Sequence, residues 1–78
     1  MKELLEFLTK KIVTNPTDIM IEEQIPGEGF MNLAIKVNQS DTGILIGKQG
    51  RTIKSLKNLL KVKAIQEGLN INIELVNE

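Results

Sequence analysis

The chain has 78 residues, of which 41% are hydrophobic and 26% are charged, and its formal net charge is zero. A chain this short buries only about 60% of its unfolded surface around one core, so we expect a single domain over residues 1–78. It contains no cysteine and no histidine, which excludes disulfides and thiolate metal sites and removes the commonest catalytic base. We therefore expect neither an enzyme nor a bound metal or cofactor.

The first predicted element is an amphipathic helix near the N-terminus. Its apolar residues recur at helical spacing: Leu4, Leu5, Leu8 and Ile12. Asn15-Pro16 does not allow the helix to continue, so we expect it to end near Thr14. Charged side chains interrupt residues 1–13, unlike the apolar stretch of a signal peptide or a membrane span. This pattern predicts a cytoplasmic protein.

Two strands and a turn are predicted next. Residues 18–24 alternate Ile19 and Ile21 with other side chains, and residues 30–37 alternate Leu33, Ile35 and Val37. Residues 25–29 read Ile-Pro-Gly-Glu-Gly, which is typical of a turn. Strands joined by so short a connection pair antiparallel, so we expect a β-hairpin.

Two helices and a last strand complete the chain. Asn38, Ser40 and Asp41 offer helix-capping side chains before a short helix over 42–46, which Gly47 ends. The next helix is predicted from 50 or 51 to about 66, where Gly68 closes it, and residues 69–76 alternate as a strand. A crossover through two helices places this strand parallel to its neighbour. The order α-β-β-α-α-β predicts an α+β fold with a three-stranded mixed sheet and three helices on one face.

The most informative segment is residues 46–54, Ile-Gly-Lys-Gln-Gly-Arg-Thr-Ile-Lys. We call residues 47–50 the glycine loop. Gly47 and Gly50 permit backbone angles that side chains forbid and allow close approach to another molecule. The helix that follows directs free N–H groups and its positive dipole end to the same place. Because Lys48, Arg51 and Lys54 add full charges, the segment predicts a site for an anionic backbone, most simply phosphate.

Positive charge is concentrated beside this loop. Residues 1–40 hold four lysines and six acids, a net charge of −2, and residues 41–78 hold six basic and four acidic residues, a net charge of +2. No acid lies between Asp41 and Glu67. One side of the long helix carries the residues that we call the basic flank: Arg51, Lys54, Lys57 and Lys61. A separate face of that helix is apolar: Ile53, Leu56, Leu60 and Ala64.

The sequence does not match two other types of phosphate- or base-binding site. Residues 43–49 are one residue short of a nucleotide P-loop and lack the Ser or Thr that holds Mg²⁺. The only aromatic residues are Phe7 and Phe30, which argues against a stacking platform of the RRM or OB type. Glu22, Glu23 and Glu28 lack other ligand types nearby, and we assign them no site.

The order α-β-β-α-α-β, with Ile-Gly-Lys-Gln-Gly-Arg-Thr-Ile between the two central helices, resembles a KH domain of type II topology and is similar to the small, stand-alone bacterial KhpA family. The resemblance implies that the glycine loop clamps the backbone of about four single-stranded RNA nucleotides. The RNA-binding residues that it implies are Gly43, Ile44, Gly47, Lys48, Gln49, Gly50, Arg51 and Lys54. Lys48 and Gln49 would face phosphate and sugar, and Gly43 and Ile44 would line the groove floor. The residues leave open which strand forms the opposite wall.

The resemblance also implies a role as an RNA chaperone or post-transcriptional regulator. It implies a homodimer, or a heterodimer with a larger KhpB-like multidomain RNA-binding protein. The alternative that the residues leave open is a protein-interaction subunit acting mainly through dimerisation, since the domain is small and neutral overall.

Overall fold

The computed structural model describes residues 1–76. Within this range it contains three α-helices, α1 (Lys2–Lys10), α2 (Thr42–Ile46) and α3 (Arg51–Gln66), and three strands, β1 (Met20–Gly27), β2 (Phe30–Lys36) and β3 (Asn70–Leu75). Single 3₁₀ turns occupy Pro16–Asp18 and Gln39–Asp41, and Lys48–Gly50 form a tight turn whose backbone angles at Gln49 and Gly50 are not helical. The predicted order α-β-β-α-α-β is confirmed.

The three strands form one mixed sheet in the order β1-β2-β3. Strand β1 pairs antiparallel with β2, and Ile21 lies opposite Ile35. Strand β3 pairs parallel with β2, and Leu33 lies opposite Ile73. The hairpin and the parallel return through two helices are therefore confirmed.

The core lies between the helices and one face of the sheet. Most of its buried apolar side chains come from all three helices and from β2 and β3: Leu5, Leu33, Ile35, Leu45, Leu56, Leu60, Ala64, Ile71 and Ile73. Val13 and Val37 add to the core from the connecting segments. On β3 the intervening residues Asn70, Asn72 and Glu74 are exposed. Because only one face of the sheet is covered, the molecule is the two-layer α+β fold that the sequence predicts.

The first helix is shorter than predicted, because α1 ends at Lys10 rather than near Thr14. Its last turn tightens, and the Lys11 N–H donates to the Leu8 carbonyl at 3.2 Å. The backbone N–H of Thr14 donates to the remote carboxylate of Asp41 instead of a helical carbonyl. A donor used in this way cannot continue the helical ladder.

The β-hairpin also differs in detail from its prediction. Residues 16–18 form a 3₁₀ turn, and β1 runs on to Gly27, where the prediction had a turn from 25. The pairing register is irregular between Gln24 and Gly27, and Gly27 lies opposite Phe30. Pro26 falls within the irregular stretch of this edge strand, where its missing N–H interrupts no regular ladder. The turn itself is only two residues long.

No helix within residues 1–76 is long and apolar enough to cross a membrane.

Candidate nucleic-acid interface

The glycine loop forms a compact turn between α2 and α3. Gly47, Gln49 and Gly50 have φ angles of 77°, 57° and 74°, so three of its four residues occupy the region that side chains disfavour. Gln49 bears this strain without being glycine, at a cost of about 1–2 kcal/mol. The Gly47 N–H donates to the Gly43 carbonyl at 2.9 Å, and the Gly50 N–H donates to the Gly47 carbonyl at 3.1 Å. The main chain of the loop is thereby fixed.

The two glycines of the loop are required for different reasons. A Cβ atom on Gly47 would lie 2.6 Å from the Thr52 Cβ and 2.8 Å from the Thr52 backbone nitrogen, closer than real Cβ atoms approach. A Cβ atom on Gly50 would meet nothing within 4 Å. Gly50 is therefore needed only for its backbone angle, whereas Gly47 also allows the loop to pack against the first turn of α3.

The polar side chains of the loop face solvent. Lys48 and Gln49 are exposed, as are Arg51 and Lys54 in the first turn of α3. Within residues 1–76 none of the cations Lys48, Arg51 and Lys54 pairs with a carboxylate. Arg51 donates to the Gln49 Oε1 atom at 3.5 Å, a long and weak hydrogen bond. These positive charges are therefore available to an anionic ligand.

Helix α2 presents an open surface beside the loop. Gly43 is exposed, and a Cβ atom there would meet nothing within 4 Å. The side chain of Ile44 is 45% exposed, whereas that of Leu45 is fully buried. The structure thus places Gly43 and Ile44 on an accessible apolar surface within one helical turn of the loop.

Helix α3 separates its core from its charges as the sequence predicts. Leu56, Leu60 and Ala64 are buried. Of the basic flank, Arg51, Lys54 and Lys61 are exposed and Lys57 is partly exposed. A line of cations therefore extends from the glycine loop along α3.

The sequence over residues 2–75 matches a family model described as the KH domain of KhpA/KhpB. The chain belongs to this family. It is 38% identical to the RNA-binding protein KhpA of Clostridium perfringens strain 13 over 76 residues, which cover 97% of this chain and all of the relative. It is 50% identical to the RNA-binding protein KhpA of Thermotoga maritima over 60 residues, 77% of this chain and 79% of that protein. The corresponding protein of Chlamydia trachomatis serovar D is 32% identical over 78 residues, 100% of this chain and 99% of the relative.

Membership in the KhpA/KhpB family agrees with the observed topology. The structure has the type II KH element order and a mixed sheet with helices on one face. The fold and family inferred from the glycine loop and its flanking elements are confirmed. Within residues 1–76 there is no group of three or more acidic, histidine or cysteine residues that could hold a metal ion.

The carboxylate of Asp41 has a different role from the helix cap that the sequence predicts. Asp41 offers a cap for the short helix, but its carboxylate makes no capping hydrogen bond to α2. It is fully buried and accepts four hydrogen bonds from the α1–β1 connection. The donors are the Thr14 N–H (3.1 Å) and hydroxyl (2.6 Å) and the Asn15 N–H (2.9 Å) and side-chain amide (3.1 Å).

These hydrogen bonds have an electrostatic consequence. The hydrogen bond from the Thr14 hydroxyl is the main cause that lowers the pKa of Asp41 below its ordinary value. The backbone N–H of Thr14 and the two donors of Asn15 lower this pKa further, while burial of the carboxylate acts to raise it. Asp41 immediately precedes α2, so the carboxylate anchors the start of the helix that leads into the glycine loop. Its partners lie 26 and 27 residues away in the chain, and no local pattern signals such a pairing.

Proposed function

We propose that this chain is a single-stranded RNA-binding protein, acting as one KH domain over residues 1–78 in RNA chaperoning or post-transcriptional regulation. The observation that carries the proposal is the glycine loop, whose fixed main chain presents exposed Lys48 and Gln49 at the start of α3. The relatives named RNA-binding protein KhpA support the same function. Its place in the cytoplasm is part of the proposal and is tested by cell fractionation.

The proposed mechanism is a clamp on the RNA backbone. Gly47 and Gly50 shape a turn that phosphate can approach closely, and the first N–H groups of α3 supply donors and a positive dipole end. Lys48 and Gln49 contact phosphate and sugar. Because phosphate carries no sequence information, these contacts hold and orient the strand and do not select bases.

The remaining proposed contacts surround the clamp. Arg51 and Lys54 lie at the charged rim, where neither has an acidic partner within residues 1–76. Gly43 and Ile44 form the groove floor, and aliphatic contact with Ile44 takes the place of an aromatic platform. No catalytic role is proposed, since the chain contains neither histidine nor cysteine and the clamp requires only binding.

Ultraviolet crosslinking to single-stranded RNA tests this function. The variant K48D/Q49D places two carboxylates where phosphate is expected, and we expect it to lose crosslinking. Both side chains are exposed, so its circular dichroism spectrum and melting temperature should match those of the wild type. K63D is the matched control, because Lys63 is also exposed but lies outside the basic flank. Undiminished crosslinking of the double variant would refute the clamp.

A second candidate function is supported by a separate surface. An open groove of about 400 Å³ lies between α1 and α3, and its apolar lining includes Leu8, Ile12, Leu56 and Leu59. Leu59 and nearby Val62 are each 58% exposed. Contiguous exposed apolar surface often marks a protein interaction site. The groove and these two side chains favour a protein-interaction subunit that forms a homodimer, or a heterodimer with a larger KhpB-like RNA-binding protein.

Size-exclusion chromatography with light scattering tests this second function. We expect association of the wild type, alone or with the partner, and its loss in L59E. I25E is the control, since Ile25 is 65% exposed on β1, outside this groove. If the wild type is monomeric and does not associate with any candidate partner, this second function is refuted. Lys48 and Gln49 do not line the groove, whereas Arg51 at the rim of the clamp does, so the groove and the RNA clamp adjoin each other at the first turn of α3.

A further inference from the structure

A second cavity lies at the far end of the basic flank. It measures about 340 Å³ and is lined by Phe30, Lys61, Ile65, Leu69, Asn70 and Ile71. We call it the Phe30 pocket. Phe30 is 40% exposed and Ile65 is 72% exposed, so aromatic and aliphatic surface is accessible there. Neither the clamp nor the groove between α1 and α3 uses this pocket.

The pocket is built on ordered elements. Phe30 begins β2 and lies in register with Asn70, which begins β3. The Asn70 N–H donates to the Gly29 carbonyl at 2.8 Å, which fixes the two strand starts together. The Leu69 N–H donates to the Ala64 carbonyl at 2.8 Å, which holds the end of α3 against the same strand. Sites supported in this way are already shaped for a ligand.

The side chains of the pocket suit a nucleotide. The Phe30 ring offers a face on which a base can stack. The Asn70 amide has both donors and an acceptor, as the hydrogen-bonding edge of a base requires. Lys61 supplies a charge for phosphate and pairs with no carboxylate within residues 1–76. No acidic residue lines the pocket, so its charge complements an anionic strand.

Lysine residues of α3 lie between the clamp and the pocket. Arg51 adjoins the glycine loop, and Lys61 follows it ten positions later in the same helix, a distance of about 15 Å along the axis. Lys54 and Lys57 lie between them on the same flank. A strand that leaves the loop along this flank meets positive charge until it reaches the pocket.

We infer that the Phe30 pocket binds a base of the same RNA strand, outside the tetranucleotide held by the glycine loop. The inference rests on the proposed RNA-binding function and adds a subsite to it. Phe30 stacks on the base, Asn70 hydrogen-bonds to the base edge, and Lys61 contacts the adjoining phosphate. The domain therefore contacts a longer segment of RNA than the clamp alone does.

Fluorescence anisotropy with RNAs of graded length tests the subsite. The probes are a labelled single-stranded tetranucleotide and the same sequence extended at its 5′ or its 3′ end. We expect one extension to tighten binding by the wild type about fivefold or more, the effect of one stacked base. F30A should lose this gain and bind the tetranucleotide like the wild type, and K61Q should reduce the gain.

Two matched controls isolate the pocket. F7A removes the other aromatic residue, which is 57% exposed on α1, and K63Q removes an exposed α3 lysine that does not line the pocket. Both should keep the gain from the longer RNA. If F30A lowers the melting temperature, F30L is measured in its place, because it removes the ring but keeps an apolar side chain. F30L is then expected to lose the gain as well.

The outcomes separate the subsite from the clamp. If the tetranucleotide binds but extension brings no gain, or F30A and F30L keep the gain, the subsite is refuted and the clamp stands. If none of the RNAs binds the wild type, the proposed function itself fails. If the Phe30 variants change self-association but not RNA binding, the pocket is a protein-docking site and the inference is overturned.

Discussion

Replacing Gly47 with alanine tests whether the glycine loop is held in shape by contact with α3. Gly47 has φ 77° and ψ 174°, a region that costs a non-glycine residue about 1–3 kcal/mol. The new methyl group would also meet the Thr52 backbone nitrogen at 2.8 Å, and such overpacking typically costs about 1–3 kcal/mol. The sum is about 2–6 kcal/mol, a large part of the stability expected of a small domain.

Two other glycines provide graded controls for this experiment. Gly50 has a left-handed backbone but open space around it, so G50A should cost only about 1–2 kcal/mol. Gly43 lies inside α2 with no atom near its missing Cβ, so G43A should gain about 0.5–1 kcal/mol. Urea unfolding followed by far-ultraviolet circular dichroism measures all three, since the chain has neither Trp nor Tyr. A loss for G47A no larger than that for G50A would refute the packing argument.

Three further predictions concern the buried carboxylate, the core and the salt dependence of RNA binding. Because the folded state lowers the pKa of Asp41, its stabilising contribution is present above the unfolded pKa and is lost as pH falls through the folded pKa. The D41N variant should therefore have a lower free energy of unfolding at neutral pH and should not lose this contribution as the pH falls. A dependence of stability on pH that matches the wild type would contradict this role of Asp41. Leu60 is fully buried, so L60A should cost about 2–5 kcal/mol in urea unfolding, and a loss below about 1 kcal/mol would be inconsistent with this core. With about three to five phosphate contacts, the logarithm of the association constant for single-stranded RNA should fall with the logarithm of the salt concentration with a slope of about −2 to −3.5. An association constant that does not change with salt would exclude a charge-based clamp.

The central part of the fold was predictable because its signals are local. Gly47 and Gly68 predict the ends of α2 and α3. The observed bounds, Thr42–Ile46 and Arg51–Gln66, agree with these predicted ends. Apolar residues at helical spacing mark the buried face of α3, and strict alternation marks β3. The glycine loop lies between two helices that the sequence predicts clearly, so its position between α2 and α3 could also be predicted.

The remaining features depend on contacts between distant parts of the chain. The early end of α1 and the non-capping role of Asp41 both arise because that carboxylate accepts hydrogen bonds from Thr14 and Asn15. The approach of Thr52 to Gly47 needs the folded turn, since composition alone does not distinguish Gly47 from Gly50. The Phe30 pocket joins residues from β2, α3 and β3, which sequence spacing does not bring together.

The most direct test of the RNA clamp is a nuclear magnetic resonance titration of the ¹⁵N-labelled protein with short single-stranded RNA. We expect the amide signals of residues 43–54 to shift most, including those of Gly47 and Gly50. Signals from the turn at residues 28 and 29 should move little when the RNA is a tetranucleotide. Saturating shifts confined to other surfaces, or no shifts at all, would contradict the assignment of RNA binding to the glycine loop.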